Sequence, residues 1–409
     1  MARVNQCTDL AVFGGAPAFE EKLHVGHPNI GDRRRLMARL DDILDRRWFT
    51  NDGWYVQEFE RAIAEMVGVR HCIAMCNGTV ALEILIRALR LSGDVILPSF
   101  TFVATAHALH WQGITPVFCD IDPHTHTIDP DQARKLIRPR TTGIIGVHLW
   151  GRGCDVEALA ALAHEHDLCL ILDAAHALAC SYRGRMIGSF GDAEVFSFHA
   201  TKFVNTFEGG AVVTNDDALA AKLRLMKNFG FAGYDKVAYI GTNGKMNEVS
   251  AAMGLTGFES LDEFISVNYH NYKQYQRELE GIPGLRLLSF DETERCNYQY
   301  IVLEIDEAVT HISRDQVKDI LWAENILARR YFYPGCHRME PYRSRWPHAG
   351  LHLRETEALA AKVLVLPTGT AVGAGEIRTI CDVLRFVVVH GAEIGERLAL
   401  HARDMIGVP

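Results

Sequence analysis

Between about residues 70 and 215, short apolar runs alternate with stretches whose apolar positions recur at helical spacing. That alternation is the mark of strands and helices wound into α/β layers. The runs predict strands at 71–75, 94–97, 115–119, 142–148, 169–173, 194–198 and 210–214, with helices at 79–91, 155–165 and 216–228 among those between them. Seven such strands are expected to make one wide, mainly parallel sheet sandwiched by helices.

After Asn243 the pattern changes. Residues 246 to about 280 read as long helical structure, broken at 281–284 by two glycines and a proline. Strands are expected at 285–289 and 297–305, a helix near 314–324 and a terminal helix near 375–389. This mixture predicts a smaller C-terminal α+β domain over 261–409, beside a large domain over 1–260. Two or so domains suit a chain of 409 residues. The first 50 or so residues carry little periodic signal and pack on either domain or on a partner subunit.

Composition narrows the class without naming a chemistry. Hydrophobic residues make up 48% and charged residues 23%, as in ordinary globular proteins. With a net charge of −9 and no basic block, a nucleic-acid surface is not expected. The run Arg33-Arg34-Arg35 beside Asp32 reads as a solvated helix face. The ten cysteines show no C-x-x-C pair or framework, which predicts reduced, mostly buried thiols and no metal site. Neither a signal peptide nor a membrane-spanning run is visible, so a cytoplasmic protein is expected.

In an open parallel sheet, ligands bind beyond the carboxyl ends of the strands, so polar residues that follow strands are the first candidates. Cys76-Asn77-Gly78-Thr79 leaves a strand and opens an apolar helix. Gly78 would let the backbone approach a ligand, and the helix start offers free N–H groups to a phosphate; alone, the same residues make a plain helix cap. Asp173 ends Leu170-Ile171-Leu172, where a carboxylate needs a partner such as a protonated ring nitrogen. A helix cap or a metal ligand would explain it equally well in isolation. Lys202 closes Ser197-Phe198-His199-Ala200-Thr201-Lys202, ahead of Glu208-Gly209-Gly210. Lysine forms imines and becomes nucleophilic when burial lowers its pKa, although a lysine beside a turn is ordinarily a surface charge. Ser197 is a candidate donor to a phosphate. Taken together, a carboxylate, an amine and a phosphate cup around one crevice are what pyridoxal 5'-phosphate (PLP) requires. No P-loop, zinc spacing or glycine-rich dinucleotide fingerprint competes.

The chain resembles, over nearly its whole length, the DegT/DnrJ/EryC1/StrS family of nucleotide-sugar aminotransferases. The resemblance rests on Phe49-Thr50-Asn51, Val56-Gln57-Glu58-Phe59-Glu60, Asn77-Gly78-Thr79, Pro98 through Thr105 and Asp173-Ala174-Ala175-His176. It continues in Ser197 through Lys202, Gly209-Gly210-Ala211, and Asn243 with Met246, Glu248, Ala251 and Ala252. It implies the PLP-dependent fold type I and a role for each matching residue. Lys202 would form the imine and carry the proton, and Asp173 would bind the pyridinium nitrogen. Phe102 would stack on the ring, with His176 against the cofactor. Gly78, Thr79 and Ser197 would hold the phosphate, and Asn243 would reach the neighbouring subunit's cofactor in a homodimer with shared active sites. Tyr331, Tyr333 and His337 would help shape a sugar pocket.

The same resemblance implies transamination from L-glutamate to a keto sugar on a nucleoside diphosphate. The residues around Lys202 look like the branch that aminates C4 of dTDP-4-keto-6-deoxyglucose. A C3 aminotransferase is the alternative within the class, and a non-catalytic PLP- or nucleotide-sugar-binding regulator the alternative outside it. Sugar dehydratases of this fold replace the lysine with histidine, which Lys202 argues against.

Overall fold

A computed structural model describes residues 5–406. Seven strands share one sheet: β1 (His71–Met75), β2 (Asp94–Pro98), β3 (Thr115–Cys119), β4 (Thr141–Val147), β5 (Cys169–Asp173), β6 (Ala193–Ser197) and β7 (Gly210–Thr214). Their spatial order is β1-β7-β6-β5-β4-β2-β3. Only β7 runs against its neighbours, so its first residue lies on the same edge as the carboxyl ends of the other six. The register sets Met75, Gly210 and Ser197 side by side on that edge. Asp173 pairs there with Val147 and Val195. Every residue of β2 and β7 is buried, as strands covered on both faces require.

The N-terminal segment finds its place through a helix that sequence periodicity did not reveal. Helix Arg33–Arg46 begins at Asp32, whose carboxylate accepts the N–H groups of Arg34 and Arg35. Leu36 and Ile43 pack on Ala252 and Met253 of helix Glu248–Glu259. Arg35 and Arg39 both reach Glu259, so the arginine run serves an inter-helix contact as well as solvent. The ten cysteines are all free and eight are buried. Among the described residues no helix is long and apolar enough to cross a membrane.

Beyond residue 260 a three-stranded antiparallel sheet forms from β8 (Leu285–Leu287), β9 (Ile301–Ile305) and β10 (Val363–Leu366), with β9 in the centre. Helices Arg314–Ala323, Arg354–Lys362 and Ala374–Val389 accompany it. Three details depart from the sequence pattern. The helical stretch expected at 246–280 divides at Ser260 into Glu248–Glu259 and Leu261–Leu279. The strand expected at 297–305 is shortened to 301–305 because Tyr298 takes a left-handed conformation (φ 48°), beside an Asn297 side chain that bonds the carbonyls of His176 and Leu178. Strand β10 and helix Gly391–Ile406 had no counterpart in the sequence pattern. One apolar cluster runs without a break from Phe59 and Phe198 to Leu303, Ile320 and Leu384, and so ties this sheet to the larger one.

Candidate active site

The chain leaving β6 folds back at once. Phe198 N–H donates to Gly209 O at 2.8 Å, Lys202 N–H to His199 O at 2.8 Å, and Thr206 N–H to Phe198 O at 2.9 Å. The resulting loop returns Lys202 to within electrostatic reach of Asp173. Lys202 Nζ donates to the hydroxyl of Tyr300 at 3.1 Å. Burial draws the amine down to about 8, against the opposing pull of Asp173. For Asp173 burial works the other way and raises its pKa. The Ala175 N–H at 3.1 Å, the Thr105 hydroxyl at 2.9 Å, Lys202 and His148 all oppose that rise.

Aromatic rings close one side. His176 is buried, with its ring centroid 4.3 Å from Tyr300, 5.7 Å from Trp150 and 5.8 Å from Phe332. Its Nδ1 finds no partner among the described residues, and burial followed by the Lys202 charge keeps the imidazole neutral, far below its ordinary pKa. Phe102 precedes helix Val103–His110 and is 58% exposed. With Tyr331, Tyr333, Trp322, Arg329 and Arg330 it lines a cleft of about 350 Å³.

On the opposite side the backbone closes in. Asn77 caps helix Gly78–Ala88 by accepting the Val80 N–H at 2.8 Å. A Cβ at Gly210 would lie 2.5 Å from Gly78 N, and one at Gly78 would lie 3.2 Å from Ser197 Cβ. Glycine is therefore needed at 210, and Gly78, Thr79 and Ser197 share one small cup at a helix start. The turn carrying Asn243 is pinned beside that cup, since Cys76 N–H donates to Gly244 O at 2.8 Å, with Asn243 itself exposed. His337 lies elsewhere. Its buried ring sits between Ser99 Oγ at 2.7 Å and Glu357 Oε1 at 3.0 Å, which leaves neither ring nitrogen for a ligand.

Thr105 and Tyr300 had not been singled out from the sequence. Thr105 had a usable signal, three residues beyond Phe102 in the first turn of a helix. Tyr300 had none, because it reaches Lys202 only across 98 residues of chain. The assembled groups suit a phosphorylated, ring-bearing cofactor. The cup offers backbone donors, and Lys202 and Asp173 supply an amine and a carboxylate within electrostatic reach of each other. The His176 Nδ1, without a partner among the described residues, lies on the ring that packs beside Tyr300.

A doubly covered, mainly parallel sheet with a lysine and an aspartate facing each other at its carboxyl edge is the architecture of the fold type I enzymes. The particular assignment follows from similarity. Residues 31–385 match the model of the DegT/DnrJ/EryC1/StrS aminotransferase family, and the chain belongs to that family. It is 35% identical over 367 residues to a dTDP-4-amino-4,6-dideoxy-D-glucose transaminase of Shigella dysenteriae, covering 90% of this chain and 99% of that one. It is 36% identical over 358 residues to the GDP-perosamine synthase of Caulobacter vibrioides, covering 85% and 94%. The crystal structure of DesI in the presence of its TDP-sugar product matches with a TM-score of 0.93 and 51% identity, covering 96% of this chain and 100% of that one. The enzyme is a sugar aminotransferase.

Proposed function

We propose that this enzyme uses PLP to transfer the amino group of L-glutamate to C4 of dTDP-4-keto-6-deoxy-D-glucose, as a cytoplasmic homodimer with shared active sites. The observation that carries this reading is Lys202, an amine drawn down to about 8 by burial and facing Asp173 at the end of a neighbouring strand. Similarity to two dTDP-4-amino-4,6-dideoxy-D-glucose transaminases, from Shigella dysenteriae and Escherichia coli, supports the choice of sugar. PLP, when bound, supplies an electron sink for proton transfer at carbon. The remaining work falls to this chain. Lys202 would hold the cofactor through its amine and, when free, would move the proton on and off the substrate carbon in both half-reactions. Asp173 would pair with the protonated ring nitrogen. Gly78, Thr79 and Ser197 would hold the phosphate, Phe102 and His176 would lie against the ring, and Asn243 would reach the site of the partner subunit. Tyr331 and Tyr333 border the cleft that admits the sugar nucleotide, and the ring of His337 braces that wall from behind.

The two half-reactions can be watched separately. L-glutamate should bleach the visible absorbance of the PLP enzyme; after its removal, dTDP-4-keto-6-deoxyglucose should restore it, with a C4-amino product. A GDP-linked 4-keto-6-deoxy sugar belongs in the same experiment, because the GDP-perosamine synthase is as similar as the dTDP enzyme. Bleaching without recovery on any keto sugar would leave an aminotransferase with a different acceptor. Recovery with a C3-amino product would overturn the regiochemistry alone.

A further inference from the structure

Thr105 is fully buried in the first turn of helix Val103–His110. Its hydroxyl donates to Asp173 Oδ2 at 2.9 Å. A hydroxyl has a single proton, so the Thr105 oxygen can then only accept, which makes Thr101 Oγ1 at 3.1 Å the donor to it. The Thr101 carbonyl in turn accepts the Cys336 thiol at 3.3 Å. Both threonine O–H groups therefore point toward Asp173.

A carboxylate at a strand end turns readily about its last torsion. Asp173 is held from two directions: Ala175 N–H at 3.1 Å from its own turn, and Thr105 from the connection after β2. Phe102 lies on the same turn as Thr105 and faces the cleft. Any shift of the 101–105 turn thus moves the aromatic face and the carboxylate's partner together. The titratable groups facing Asp173 are Lys202 and His148, the latter paired with Glu194 at 3.2 Å.

We propose that Thr105 is a positioning residue that holds Asp173 ionised and aimed at the cofactor's ring nitrogen, in register with the face of Phe102. The proposal rests on the PLP reading of the site. It also explains a choice of residue: valine would fill the same space, and only a hydroxyl supplies the donor. Loss of that donor removes one of the influences that keep the half-buried Asp173 from taking up a proton.

The test compares Thr105→Val with Thr105→Ser. For the valine variant, apo-enzyme titrated with PLP should bind about tenfold more weakly, and kcat should fall about tenfold with the sugar KM within about twofold. The acid limb of the rate should move upward by about one pH unit, because Asp173 would protonate more readily. Serine should restore all three. If the valine variant does not fold, Thr105→Ala carries the same expectations. Wild-type affinity and an unmoved acid limb in the hydroxyl-free variant would overturn the role of Thr105 and leave the PLP reading standing. A wild-type enzyme that takes up no PLP would overturn both.

Discussion

Asp173 and Lys202 rise from the ends of neighbouring strands and are held by hydrogen bonds from nearby turns. Tyr300, Tyr331 and Phe332 come from more than 90 residues further on and hold one another through ring contacts, with the Tyr300 hydroxyl reaching Lys202. The two sides respond differently to change. On the floor each charged group has its own partners, so a single deletion leaves a half-buried charge less well compensated. On the wall, Trp150, His176, Tyr300 and Phe332 pack against one another, and the loss of one polar tip leaves the packing in place. The charged groups are therefore concentrated on the floor, while the wall shapes the space beside them.

Substitutions on the floor should have the largest effects. Lys202→Ala removes the amine to which both cofactor binding and proton transfer are assigned in the proposal, and turnover should fall by about 10³-fold or more. Borohydride treatment followed by mass spectrometry should find no trapped cofactor; a trapped adduct at another lysine would break the assignment. Asp173→Asn keeps the shape and removes the charge. It should retain PLP in gel filtration yet lose about 100-fold in kcat, in line with other losses of preorganised electrostatic stabilisation. Near-normal turnover in that variant would remove the distinction between floor and wall.

The same division explains what could be read from the sequence. Strands β1 to β7 were legible to within a residue or so at each end because their apolar runs are short and bounded by turns. Asp173, Ser197 and Lys202 stood out because each follows such a run. The wall was legible only through the family resemblance, which pointed to Tyr331 and Tyr333 but not to Tyr300. Tyr300 lies in a stretch that looks like the start of a strand. The left-handed backbone at Tyr298 delays the strand until Ile301, beside the Asn297 bonds to the His176 and Leu178 carbonyls. Its approach to Lys202 is a product of tertiary packing, for which local periodicity carries no sign.

Tyr300→Phe should cost less, about fivefold in the sugar half-reaction, comparable to the loss of one ordinary hydrogen bond. Its signature is the pH profile. Free Lys202 takes up a proton only as the neutral amine, so with its pKa at about 8 the rate should rise with pH and level off above that value. The Tyr300 oxygen accepts from Nζ and so favours the charged amine. Phenylalanine should therefore shift the rising limb to lower pH, and an unmoved limb would show that the contact does not reach the chemistry.

The smallest catalytic effect is expected at His337, where the position tests whether the wall has a second layer. Burial lowers the pKa of its ring despite Glu357. The neutral ring donates from Nε2 to Glu357 and accepts the Ser99 hydroxyl at Nδ1, while Ser99 Oγ accepts the His337 N–H at 3.1 Å. These bonds fasten the segment after Tyr333 to the residue that follows β2, three positions before Phe102. His337→Gln should lower stability by about 1–2 kcal/mol, since two buried hydrogen bonds are weakened. Urea unfolding would measure that loss, with kcat/KM for the sugar nucleotide staying within about threefold of wild type. The reverse pattern, full stability with a tenfold or greater rise in sugar KM, would place His337 in contact with substrate and make the wall a single layer.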